Sequence, residues 1–292
     1  MSIARLAIVG TGLIGTSVGL AAKRAGVGSV AGFDADRNVL ELALERGALD
    51  RAGRRLDDAV SDAELVLVAT PVSVIPSQVA AALEATSSDC TVTDVGSTKA
   101  RICSAASGAS RFLGGHPVCG SEAHGPENAR VDLFDDATWF LTPLVETEPT
   151  RERLLDRFVA SLGAVPVAID PCVHDRLVAL TSHLPHALAN LLVNQVGAAR
   201  IDGYDPLATA GGSLRDMARV AGANPAMWRD IFLDNAEILA DALAEHRRLV
   251  DELEAALRAA DVAQLSRSID EAAEHRRRLP GTALPRGSPA DA

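Results

Sequence analysis

No run of about 18 uninterrupted apolar residues occurs in the chain, so no membrane span is expected. The first residues lack the pattern of a signal peptide and pass straight into a strand-like run. Cysteine is sparse. Cys90, Cys103, Cys119 and Cys172 are scattered without metal-ligand spacing, which predicts reduced, mostly buried thiols and no metal. These three absences together predict a cytoplasmic protein. Positive charge is in deficit: the net charge of −11 argues against a nucleic-acid partner. The basic clusters His246-Arg247-Arg248 and His275-Arg276-Arg277-Arg278 sit in acid-rich helical sequence and read as solvated helix faces. No internal repeat is present. Lysine is nearly missing, with only Lys23 and Lys99. What remains is ordinary for a globular protein: 292 residues, 48 % hydrophobic, long enough for two domains.

The stretch around which the chain is organised is Ala7-Ile8-Val9-Gly10-Thr11-Gly12-Leu13-Ile14-Gly15. A buried-strand pattern runs into Gly-x-Gly-x-x-Gly and then into a helix-period segment. Gly10 permits the tight turn, Gly12 lets backbone approach a pyrophosphate, and Gly15 lets helix pack on strand. Leu13 and Ile14 open the helix, whose unpaired N–H groups face the phosphates. A second strand, Ser29-Val30-Ala31-Gly32-Phe33, ends in Asp34, near the spacing of about 20 residues expected for the acid that binds the adenosine ribose. An acid there favours NAD over NADP. Arg37 keeps NADP open.

Further strands are expected at residues 65–69, ending in Thr70-Pro71, and at residues 90–95, ending in Gly96-Ser97-Thr98-Lys99. Arg111-Phe112-Leu113-Gly114-Gly115 leads into His116-Pro117, and late strands are expected at residues 139–142 and 165–169. Strands alternating with helices predict an α/β Rossmann-type, doubly wound parallel sheet. In such sheets ligands bind beyond the carboxyl ends of the strands, where Gly10, Asp34, Thr70, Ser97 and His116 all fall. The boundary of this nucleotide-binding domain, residues 1–170, is placed near Asp170-Pro171.

Residues 171–279 read as all-α. The first helix contains Ser182-His183-Leu184-Pro185-His186, and Pro185 is expected to bend it. His183 and His186 have no third ligand at convincing spacing, so a metal site is not expected. Ser213 with Asp216 predicts a capping box for a short helix that puts Arg215 and Arg219 on one face. The two guanidiniums either hold a carboxylate bidentately or pair with nearby acids in solvent. Asn224-Pro225 and Asp261 with Gln264 predict two further helix starts. The wide apolar stripe that follows Pro225 predicts burial in a homodimer through this helical domain. Residues 280–292 are expected to be a disordered tail.

Several stretches together resemble the prephenate/arogenate dehydrogenase family of tyrosine biosynthesis. They are Val9 to Ser17 with its glycines, Asp94-Val95-Gly96-Ser97-Thr98-Lys99, Gly114-Gly115-His116-Pro117-Val118-Cys119-Gly120-Ser121-Glu122, Ser182-His183-Leu184-Pro185-His186, and Asp216-Met217-Ala218-Arg219-Val220-Ala221 followed by Met227-Trp228. Val118 and Cys119 depart from the family's usual methionine and small residue. The resemblance implies a Rossmann domain followed by an all-α dimerisation domain in a monofunctional form. It implies NAD-dependent oxidative decarboxylation of prephenate to 4-hydroxyphenylpyruvate, or of arogenate to tyrosine. It also implies His116 as the group accepting the ring-hydroxyl proton and Ser97 as the residue fixing it beside the nicotinamide. Arg219 would hold a substrate carboxylate and His186 the other end of the substrate. Glu122 would line the pocket mouth, and Trp228 would reach in from the partner subunit.

Two other readings compete. A non-catalytic dinucleotide-binding sensor would not need Ser97, His116, His186 and Arg219. A 3-hydroxyacid dehydrogenase or imine reductase would favour a lysine in the helical domain, where this chain has none.

Overall fold

The computed structural model describes residues 3–119 and 123–279. The chain divides into two compact units, residues 1–239 and 240–292.

The strands of the first unit are β1 (Arg5–Val9), β2 (Ser29–Phe33), β3 (Arg51–Ala52), β4 (Leu65–Val68), β5 (Thr91–Asp94), β6 (Phe112–Pro117), β7 (Thr138–Thr142) and β8 (Val165–Ala168). They form one sheet in the order β3-β2-β1-β4-β5-β6-β7-β8. All neighbours are parallel except β6 and β7, where His116 stands opposite Phe140 and Gly114 opposite Thr142. The expected doubly wound sheet is therefore present, with one antiparallel pairing that the alternation pattern did not contain. Gly114 suits that pairing, because a Cβ there would stand 2.3 Å from Thr142 Oγ1.

The helices are α1 (Leu13–Arg24), α2 (Arg37–Glu45), α3 (Leu56–Val60), α4 (Ile75–Ala85), α5 (Ala100–Ala105), α6 (Pro149–Ser161), α7 (Pro171–Val178), α8 (Leu184–Ala198), α9 (Gly212–Ala218), α10 (Pro225–Asp234), α11 (Ala236–Arg258) and α12 (Val262–Arg277). The continuous apolar runs of the central strands are explained by burial on both faces. Leu6 and Ile8 of β1, with Leu65 and Leu67 of β4, pack with Val18 and Ala22 of α1 on one side of the sheet. The alternate residues Ala7, Val9, Val66 and Val68 pack with Ile75 and Val79 of α4 on the other. Each such large aliphatic side chain contributes roughly 1.5–3 kcal/mol on full burial. Ile231 of α10 joins the second cluster, which docks that helix on the nucleotide fold.

Two local expectations are corrected. The helix expected to bend at Pro185 is instead α7 and α8 joined by a π-helical turn, Ala179–His183. Proline has no N–H to continue the ladder, and the wider turn takes up the slack. The Ser213–Asp216 capping box does not form. Gly211 occupies the cap position in an extended conformation, so α9 starts two residues earlier and Ser213 lies within its first turn. Asn224 does cap α10, accepting from the amides of Ala226 and Met227 at 2.9 and 3.2 Å.

In the second unit, Asp261 caps α12 by accepting from Gln264 N at 2.9 Å. Arg248 pairs with Glu245 and Glu252 along α11. Leu249, Val250, Leu253, Leu257, Val262 and Ile269 are exposed. The expected tail, residues 280–292, lies outside the described residues. No helix among the described residues is long and apolar enough to cross a membrane.

Candidate active site

The sheet order reverses between β1 and β4, and the crevice beyond their carboxyl ends is where an open α/β sheet takes its ligand. Gly10 turns there with φ +94°, and a Cβ on it would meet Ala69 O at 2.6 Å. Gly12 has open space around its Cβ position, which leaves room for a pyrophosphate. Gly15 is pressed so close to β1 that a Cβ would stand 2.0 Å from Gly10 O. Leu13 and Ile14 begin α1, whose N-terminus has no side-chain cap and no acid in its first turn. Its amides are therefore available to an anion. Asp34 is fixed at the end of β2. Its Oδ2 accepts from Thr11 N at 2.7 Å and Thr11 Oγ1 at 3.3 Å, and its Oδ1 accepts from Asp36 N at 2.9 Å. Thr70, at the end of β4, has a buried Oγ1 without a hydrogen-bond partner. An open glycine, an uncapped helix start, a fixed acid and an unpartnered hydroxyl fit a dinucleotide. A methyl at Gly15 would force the loop to shift at a cost of about 1–3 kcal/mol. Gly15→Ala is accordingly expected to weaken NAD binding about tenfold or more, read by fluorescence titration.

Next along the sheet edge, the loop after β5 carries Ser97, half-buried, between two anchors. Gly96 N donates to Asp94 Oδ2 at 2.8 Å, and Thr98 Oγ1 donates to Asp234 of α10. Arg101 also pairs with Asp234, and Ser73 Oγ donates to Asp230 at 2.7 Å. Helix α10 is thus clamped to the loops after β4 and β5.

His116 projects from the end of β6. Its Nδ1 lies 2.8 Å from His174 Nε2, and His174 Nδ1 lies 2.8 Å from Asp175 Oδ1. Asp175 also accepts from the amides of Lys99 and Ala100 at 2.7 and 2.8 Å. Asp170 and Pro171 start α7, with Asp170 accepting from Cys172 N and Val173 N, and this sets His174 and Asp175 in the first turns. Burial holds the His116 pKa well below its ordinary value, and His174, Lys99 and His183 push the same way. Sequence reasoning missed His174 and Asp175. Their only signal was an adjacent His-Asp pair just past a helix start, and no spacing links them to a strand 58 residues earlier.

The π turn and α8 supply two more imidazoles. His183 accepts at Nδ1 from Asn235 Nδ2 at 3.2 Å, and burial lowers its pKa to about 4. His186 stacks on Trp228 with ring centroids 3.5 Å apart and planes 9° from parallel. Burial lowers its pKa too, and its Nδ1 is buried without a partner. Trp228 meets His186 of its own chain. Arg219 is exposed on the 3-10 turn Arg219–Gly222, which packs against α8. Glu122 lies outside the described residues. No group of three or more His, Cys, Asp or Glu side chains suited to a metal ion occurs among the described residues.

A family model described as "Prephenate dehydrogenase, nucleotide-binding domain" matches residues 18–168, and one described as "Prephenate dehydrogenase, dimerization domain" matches residues 170–271. The prephenate dehydrogenase of Bacillus subtilis (strain 168) is 32 % identical over 94 % of this chain and 75 % of its own length. The crystal structure of prephenate dehydrogenase from A. aeolicus, in complex with hydroxyphenyl propionate and NAD+, superposes with a TM-score of 0.90 at 29 % identity, covering 95 % of this chain and 98 % of that one. The arogenate dehydrogenase of Synechocystis gives a TM-score of 0.79 at 29 % identity, covering 94 % of this chain and 99 % of that one.

Proposed function

Because the chain belongs to the prephenate dehydrogenase family, we propose that it converts prephenate to 4-hydroxyphenylpyruvate by NAD-dependent oxidative decarboxylation, a step of tyrosine biosynthesis. It is an NAD-dependent oxidoreductase. The observation that carries the reading is that both halves of the family match in order, from residue 18 to residue 271. The same matches support a nucleotide-binding domain of residues 1–170 and a helical domain of residues 171–279. The exposed aliphatic side chains of α11 and α12 support a homodimer through the helical domain. A reaction that draws on NAD and a small anionic substrate supports a cytoplasmic site of action.

NAD, held by the Gly10–Gly15 loop, Asp34 and Thr70, supplies when bound the acceptor for the hydride leaving the hydroxyl-bearing ring carbon. The chain's own residues do the rest. His116 accepts the hydroxyl proton, and its burial favours the neutral imidazole that this role requires. Ser97, on its anchored loop, orients the hydroxyl. Arg219 holds a substrate carboxylate. His186, backed by the Trp228 ring, takes the other end of the substrate.

The test is a steady-state assay of purified protein. With NAD and prephenate, reduced nicotinamide and 4-hydroxyphenylpyruvate are expected to appear together, with kcat/KM above that for arogenate or for NADP. Absence of turnover with prephenate overturns the reading. Faster turnover of arogenate reassigns the substrate.

A further inference from the structure

We propose that His174 and Asp175 act through His116 as a relay: they fix its tautomer and take up the proton that it accepts. The proton transfer rests on the reaction proposed above, whereas the tautomer rests on geometry alone.

The hydrogen-bond chain admits one assignment. An ionised carboxylate only accepts. Asp175 accepts from Lys99 N at its Oδ1 and from Ala100 N at its Oδ2, so His174 Nδ1, 2.8 Å from Oδ1, carries a hydrogen. In neutral His174 the Nε2 atom is then a lone pair. That lone pair faces His116 Nδ1 at 2.8 Å, so His116 donates from Nδ1. The His116 ring is left with its lone pair on Nε2, the nitrogen away from His174. One hydrogen bond selects which nitrogen of an imidazole is basic, and here a buried pair makes the selection.

The same chain gives the proton somewhere to go. The substrate O–H bond breaks and its proton binds His116 Nε2, while the Nδ1 proton of His116 passes to His174 Nε2. His174 then holds both protons and the positive charge, beside the Asp175 carboxylate. The O–H bonding pair closes the ring carbonyl as the hydride leaves the same carbon for the nicotinamide. When the ring carboxylate departs as carbon dioxide, its bonding pair travels through the ring to the oxygen. The relay then runs backwards and returns the proton to that oxygen, so no proton is released to solvent. The groups that face the relay make this arrangement necessary. Lys99 and His183 face His116, Phe140 meets His174 edge-on, and Lys99 is paired with Asp94. Asp175, which accepts from two backbone amides besides His174, carries the negative charge beside the two imidazoles.

Two measurements test the relay. The first needs no turnover. In wild-type protein with isotope-labelled histidine, the ring-nitrogen signals of His116 are read by NMR and picked out among the seven histidines by their loss in His116→Asn. The Nδ1–H tautomer is expected, with a scalar coupling to His174 Nε2, and an Nε2–H tautomer overturns the proposal. The second is the pH profile of His174→Phe. Its kcat is expected to fall by about ten- to a hundredfold with KM for prephenate nearly unchanged. The acid limb is expected to shift, because the proton that silences the base then rests on His116 alone rather than on the relay. Unchanged kcat and an unchanged acid limb overturn the proposal. Wild-type protein that shows the expected tautomer but no turnover of prephenate overturns the proposed reaction and leaves the tautomer standing.

Discussion

His116→Asn is expected to lower kcat by about a hundredfold or more while leaving NAD affinity unchanged. The reason is local. An asparagine amide is short, and its nitrogen falls near the position of the imidazole Nδ1, so the hydrogen bond to His174 is retained. What is lost is the far nitrogen, the atom that takes the hydroxyl proton in the proposed mechanism. The residues assigned to the dinucleotide lie elsewhere, at the ends of β1, β2 and β4. A titration with NAD therefore separates loss of chemistry from loss of fold. Turnover within a few-fold of wild type would remove His116 from the mechanism.

The part of the site that such a variant spares was visible in the sequence because its signals are local. Gly10, Gly12 and Gly15 declare a turn and a close approach within six residues of one another, and Asp34 follows at the end of the next strand. The alternating strands and helices were legible because burial on both faces leaves uninterrupted apolar runs such as Leu65 to Val68. The partners of the site were not legible. His174 reaches His116 across 58 positions, and Asp234 reaches Thr98 across 136. Neither pair has a periodicity, because each is made by two elements that meet only after the sheet and α10 have packed. The π turn before Leu184 was also hidden. Pro185 announces that the helix ladder is interrupted, but how the neighbouring turns absorb the interruption depends on their packing. His183 and His186 were each legible as residues and not as an arrangement. Their burial comes from Trp228 and Asn235 on a later segment.

Asp94→Ala is expected to be the most destabilising single change near the site. Asp94 and Lys99 form an ion pair with both side chains fully buried. Removing one partner of such a pair costs about 3–5 kcal/mol, because the other is left charged and unpaired. The Asp94 carboxylate also accepts from Gly96 N at 2.8 Å and Gly115 N at 3.2 Å, so the substitution strands two buried amides as well. Set against a total stability of about 5–15 kcal/mol, this is a large fraction. At about 2–4 °C per kcal/mol for a chain of this size class, Tm is expected to fall by about 10 °C or more. The companion variant Lys99→Met leaves a carboxylate that still has both amide donors, so a smaller loss is expected. Asp94→Leu combined with Lys99→Met is expected to recover part of the loss, since neither charge then remains. A melting temperature for Asp94→Ala within about 2 °C of wild type would show that the pair contributes little. The consequence for function follows from where the two amides lie. Gly96 precedes Ser97 and Gly115 precedes His116, so one buried carboxylate holds the loop of the first and the strand of the second in register. Any Asp94→Ala protein that still folds is therefore expected to bind NAD and to turn over slowly, with serine and imidazole no longer aligned on the same hydroxyl.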